Sequence, residues 1–219
     1  RDAAFRLGFE LARQSIGVVS GLARGVDREA HEGCSRTGGY SIGVLGSGPD
    51  LVVPAASRGA ARRLLEAGGM LLSEYPPGTL PRPWHFPERN RIISGLCRSV
   101  VVVEAPERSG ALYTADFALE QGRDLYVHAA GLAGSTGAGT RQLADDGAVV
   151  IRSAAGILVD WGWKSRAAAA AAGERERVGP RDTADAGAEI ARLAAAEIDG
   201  SDDARLEHRA GIDETCGGA

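Results

Sequence analysis

Residues 82–91 hold three arginines, Arg82, Arg89 and Arg91, and one acid, Glu88, interleaved with Trp84, His85 and Phe86. Guanidinium groups grip phosphate bidentately and stack on bases. Basic residues beside exposed rings are what single-stranded nucleic acid needs, for backbone neutralisation and base stacking. Arg89 and Arg91 are two apart, so on a regular helix they point in nearly opposite directions. At most one of them then reaches a given ligand, unless the helix starts after both. One arginine is expected to meet phosphate and the other to hold the pocket together, while Asn90 holds the loop or pairs with a base edge. A proline-flanked helix start with solvated charges would use the same residue types.

Other segments carry weaker signals of the same kind. In SGLARGVDREAH (20–31), Gly21 and Gly25 bracket a strand-to-helix turn that contains Arg24. Asp27 reads as its N-cap, and Glu29 adds favourable charge in the first turn. A phosphate site and a plain capped turn with a solvated arginine both fit that pattern. His31, alone on its helix, reads as structural. GVLGSGPD (43–50) lacks the third glycine of a dinucleotide fingerprint, so it says that the backbone turns tightly after a strand. EAPERSGALYTADFALEQGR (104–123) places Ser109 and Gly110 at a helix N-terminus and Thr114 one turn further in, an arrangement suited to an anion. No motif gives Ser109 a histidine or lysine base, so hydrolysis is discounted. GSTGAGT (134–140) lacks the GK[ST] ending of a nucleotide triphosphatase. No HExxH, paired cysteines or DxD cluster is present, so neither a metal nor a cofactor is expected.

These segments need elements to position them. Apolar spacing predicts helices over 4–15, 26–37, 57–69, 109–122 and 153–161, with RIISGLC (91–97) beginning or continuing another and TRQLADDG (140–147) a short one. Buried strands are expected at 16–21, 40–48, 70–76, 99–106, 123–131 and 148–151. Strands alternating with helices imply an α/β fold, a parallel sheet covered on both faces. Ligands in such sheets sit beyond the carboxyl ends of the strands. The segments that follow the strands, GLARG, GSGPD, SEYPPG, EAPERSG and HAAGLAGSTGAGT, are rich in glycine and several precede helices.

Composition bounds the rest. Residues 1–163 hold 17 basic and 17 acidic side chains, whereas residues 164–219 hold 8 and 12, so the whole net charge of −4 belongs to the tail. That tail is rich in alanine, glycine and charge and has no aromatic residue, and it is expected to be mostly disordered. Two regions follow: a domain over 1–163 and a tail over 164–219. Lys164 is the one lysine, a bias that genome composition explains. Cys34, Cys97 and Cys216 are odd in number and far apart, which fits a reducing cytoplasm better than a disulfide framework. No run of 18 apolar residues is present, so no membrane span is expected, and the amphipathic start does not read as a secretion signal. The sequence begins without methionine, as a fragment or a processed chain would.

Taken together, VVSGLARGVDREAH, SIGVLGSGPD, LLSEYPPG, HFPERNRIISGL, VVVVEAPERSGALYTADFALEQGR and GAGTRQLADDGA resemble the Rossmann-type core of the DNA-processing protein A family (DprA, also called Smf) over about residues 5–152. The resemblance implies a cytoplasmic bacterial protein, not an enzyme in the usual sense, that binds single-stranded DNA and usually forms a homodimer. It implies protection of incoming DNA in natural transformation (competence) and loading of the RecA recombinase. Its DNA pocket would be lined by Gly21, Arg24, Phe86, Arg89, Asn90, Arg91, Ser109, Gly110 and Thr114. The arginines would take phosphates and Phe86 would stack or pack against a base. The family opens this domain with a strand ending in a G-[ST]-R turn, whereas this sequence starts at the following helix, which would open the sheet. Val53 with Pro54, Ala130 with Gly131, and Arg141 stand where the family has tyrosine-proline, proline-glycine and an asparagine. A nucleotide-binding enzyme of phosphoribohydrolase type is the competing reading, but GSTGAGTRQL lacks the glutamate of the PGGxGTxxE pattern. A truncated, nonfunctional copy is a third.

Overall fold

The computed structural model describes residues 1–163, which lie in one compact unit. The expectation of a disordered tail falls outside the described residues. Helices and strands alternate in the order α1 (Asp2–Arg13), β1 (Val18–Ser20), α2 (Val26–Ser35), β2 (Ser41–Leu45), α3 (Arg58–Glu66), β3 (Met70–Ser73), α4 (His85–Gly95), β4 (Ser99–Val102), α5 (Gly110–Glu120), β5 (Asp124–His128), α6 (Ala138–Asp145), β6 (Val149–Ile151) and α7 (Ala154–Asp160). Every strand pairing is parallel, as a Rossmann-like α/β fold requires. The ladder falls into two three-stranded sheets, ordered β1-β2-β3 and β4-β5-β6, so β1 and β4 each pair on one side only.

Period-two alternation decides which side chains meet which helix. Val100 and Val102 of β4 share a cluster with Val127, Ala115, Ala118 and Leu143, under α5 and α6. Val103, with Val101 packed beside it, faces the other way, against Ala4 and Leu7 of α1, Tyr126, Ile151 and Ile157. In the first sheet β2 is buried along its whole length, and Leu45 packs with Leu22, Ala60, Ala61 and Leu64 beneath α3. Helices α1 and α2 cross at backbone contact. A Cβ on Gly8 would run into the carbonyl of Ala30, and one on Gly33 into that of Phe5. That close approach lets α1 lie across α2 and reach the second sheet.

Candidate nucleic-acid interface

Helix α4 is the element that brings the sequence-predicted residues together. Pro87 lies in its first turn, where a missing N–H costs nothing because that donor has no partner within the helix. The helix begins at His85, so both Arg89 and Arg91 lie within it and diverge. Arg89 is 5% exposed. Its Nη1 donates to the carbonyl of Gly21 at 3.1 Å and to that of Val44, and its Nε donates to Asn90 Oδ1 at 3.0 Å. Asn90 is also buried, and its Nδ2 donates to the carbonyl of Gly110 at 3.1 Å. One chain of hydrogen bonds thus joins the ends of β1 and β2 to the first residue of α5. Gly21 is required there, since a Cβ would occupy the place of the Arg89 guanidinium.

Asp27 corrects one expectation. Gly25, at φ 96°, is the N-cap of α2, and Asp27 lies inside the first turn. Its Oδ2 instead accepts from the backbone N–H of Gly21 at 3.2 Å and of Ala23 at 3.1 Å, which folds the 21–25 loop over the helix start. Local order at a glycine turn is therefore set by a carboxylate aimed backwards, in the manner of an Asx motif. Arg24, carried on that loop, is exposed and makes no hydrogen bond or ion pair among the described residues.

Burial shapes the electrostatics beneath the turn. Desolvation lowers the Arg89 pKa, with Asp27 acting against it, and a guanidinium still stays charged at any ordinary pH. His31 is 1% exposed, and neither ring nitrogen has a hydrogen-bond partner within bonding geometry. Burial pushes it down to about 4, opposed by Asp27 and by the nearby Ser20 backbone and reinforced by Arg89. At neutral pH it is an uncharged spacer under the turn.

The remaining residues surround this core in different ways. Ser109 caps α5, its Oγ accepting from the Ala111 N–H at 3.2 Å. Gly110 is exposed, and a Cβ there would meet nothing within 4 Å, so the space in front of the α5 N-terminus is open. Thr114 lies one turn in, half-buried and outside the hydrogen-bonded chain. Phe86 is half-buried against Gly46 at the end of β2, where an added Cβ would stand 3.1 Å from its ring. Arg91 points away from Arg89 and pairs with Glu74, both about half exposed. Glu74 had no signal in the sequence, because its partner lies 17 positions away across a loop.

The glycine-rich loop after β5 is also tied down. Arg141 Nη1 donates to the carbonyls of Leu132 at 2.8 Å and Gly134 at 2.9 Å, and Thr140 Oγ1 accepts from the Ala105 N–H at 2.8 Å. Among the described residues no group of three or more His, Cys, Asp or Glu side chains gathers as a metal site.

Residues 1–162 match the model of the family described as DNA recombination-mediator protein A. The chain belongs to that family. The DNA processing protein DprA of Streptococcus pneumoniae is 41% identical over 147 residues, covering 66% of this chain and 51% of the relative. Protein Smf of Escherichia coli is 43% identical over 148 residues, covering 68% and 40%. Among solved structures, that of the pneumococcal DNA processing protein A superposes with a TM-score of 0.65 at 38% identity, covering 72% of this chain and 55% of the other. DNA processing protein A of Helicobacter pylori, solved for its single-stranded DNA binding mode, gives 0.65 at 26% identity, covering 73% and 72%. The chain spans about half or less of the length of the curated relatives it matches. None of its described helices is long and apolar enough to cross a membrane.

Proposed function

We propose that this chain binds single-stranded DNA without sequence preference and without catalysing a reaction. The strand lies across the ends of β1, β2 and β4, over the 21–25 turn, α4 and the N-terminus of α5. What carries this reading is the hydrogen-bonded chain from Gly21 through Arg89 and Asn90 to Gly110, at the sheet end where open α/β folds take ligands. It holds the 21–25 turn and the open N-terminus of α5 in fixed relation and leaves Arg24 free for a phosphate. The Helicobacter relative's single-stranded DNA binding mode supports the same choice of ligand.

In this reading the protein protects incoming DNA in the cytoplasm and hands it to the RecA recombinase during transformation and recombination. It works as a homodimer. Among the described residues strand β6 pairs on one side only, an edge suited to pairing with a second copy, and Val149 and Val150 on it are exposed.

Binding to oligo-dT at two salt concentrations tests the reading. Affinity falls as salt rises, because each phosphate contact releases counterions. No binding by folded protein at low salt overturns it, and release of a base from a nucleoside monophosphate would move the assignment to the enzyme.

A further inference from the structure

Trp84 is 51% exposed although it adjoins the buried His85, Arg89 and Asn90. Its place is fixed from several sides. Pro81, Pro83 and Pro87 restrict the backbone around it. The His85 N–H donates to the Arg82 carbonyl at 3.1 Å, and the Glu88 N–H to the Trp84 carbonyl at 3.2 Å. The indole meets the His85 ring edge-on, with centroids 5.9 Å apart and planes at 90°. His85 in turn stacks on Tyr75 at 4.0 Å, and its Nδ1 lies 3.0 Å from the Gly46 carbonyl. The Arg82 guanidinium sits 5.3 Å from the indole centroid. Nothing in these contacts requires the ring to be in solvent, and the rigid lead-in has already met the entropy cost of ordering it.

We propose that Trp84, with Arg82 beside it, is a stacking platform for a nucleobase of the bound strand; this rests on the single-stranded DNA reading above. Trp84, Glu88 and Arg91 stand at i, i+4 and i+7, so they share one face of α4. One strand running along that face meets the indole at the helix start and Arg91 about 10 Å further on. The base takes the exposed ring surface, while Arg82 serves the adjoining phosphate. Glu88 lies between them, but its carboxylate accepts the Tyr75 hydroxyl at 3.2 Å, which partly satisfies it.

The test compares the native chain with Trp84→Ala, Trp84→Leu and Trp84→Phe, using fluorescence anisotropy with oligo-dT and with an abasic oligonucleotide of equal length. Melting curves confirm that each variant is folded. Trp84→Ala and Trp84→Leu weaken dT binding on the order of tenfold, and Trp84→Phe keeps most of the affinity, because stacking needs a π face rather than bulk. On the abasic strand all four bind alike. The salt slope is unchanged by Trp84→Ala, whereas Arg82→Gln lowers it by about 0.7. Native-level dT binding by Trp84→Ala overturns the inference, as does an equal loss on the abasic strand or full retention by Trp84→Leu. A native chain that fails to bind dT at low salt removes the single-stranded DNA reading and this inference together. The first set of results leaves that reading standing.

Discussion

Replacing Arg89 with alanine tests whether this arginine is a contact or a strut. The side chain is buried and donates to Gly21 O, Val44 O and Asn90 Oδ1. Truncation leaves two buried backbone carbonyls without donors, at about 1–3 kcal/mol each, and opens a cavity; the desolvation that the guanidinium no longer suffers offsets part of this. A net loss of about 3 kcal/mol lowers the melting temperature of a domain this size by roughly 10 °C. Arg91→Ala removes a half-exposed pair with Glu74, worth about 0–1 kcal/mol, so its melt stays within about 3 °C of native. On oligo-dT the order differs: Arg91→Ala is expected to lose one phosphate contact and about 0.7 of salt slope while fully folded. Arg89→Lys separates the two roles, because an ammonium keeps the charge but cannot fork to three acceptors. It is expected to melt well below native. Thermal melts by circular dichroism, run beside anisotropy titrations, read both effects. An Arg89→Ala protein melting within 2 °C of native refutes the strut, and an Arg89→Lys protein with native stability does the same.

Two further expectations concern buried titratable groups. Burial holds His31 at about 4 in the fold against an ordinary 6.5, so the unfolded chain binds its proton first as pH falls. Its contribution is fully present above pH 6.5 and lost between about 6.5 and 4, by about 3 kcal/mol. Urea unfolding at pH 7 and pH 4 should therefore show a steeper acid loss in the native chain than in His31→Leu; His128, also lowered by burial, remains in both and cancels. Equal pH dependence refutes the buried neutral imidazole. Burial pushes the thiols of Cys34 and Cys97 up to about 11, and Cys34 donates to the Tyr40 carbonyl at 3.3 Å. In a Cys97→Ser, Cys216→Ser background the buried Cys34 should resist alkylation at pH 8 until the protein is unfolded; rapid labelling of the folded protein counts against that burial.

How much of this was legible in the sequence depends on the distance over which each feature is encoded. The alternation of elements was readable, because apolar periodicity and glycine stops are local. SVVVVEAP became β4, and RRLLEAGG became the end of α3 with its stop. The divergence of Arg89 and Arg91 was readable from their spacing once α4 was assumed. Which of the two goes inside was not. That choice depends on the carbonyls of Gly21 and Val44, 68 and 45 positions away, and no local pattern marks a backbone oxygen as an acceptor. Asp27 failed as an N-cap for a related reason. The residue type suits a cap, but Gly25 adopts a φ of 96° and begins the helix two residues earlier, so the carboxylate turns back to the loop N–H groups. The glycine at 21 carries both lessons. From sequence it was the end of a strand and a possible anion turn. In the fold it is the one residue that admits the Arg89 guanidinium, and its N–H and C=O are both spent on side chains. The turn that would face the proposed DNA strand is therefore supported from beneath by Asp27 and Arg89, and the groups left to meet a phosphate are those further out: Arg24 on the loop, Arg91 once released from Glu74, and the open N-terminus of α5.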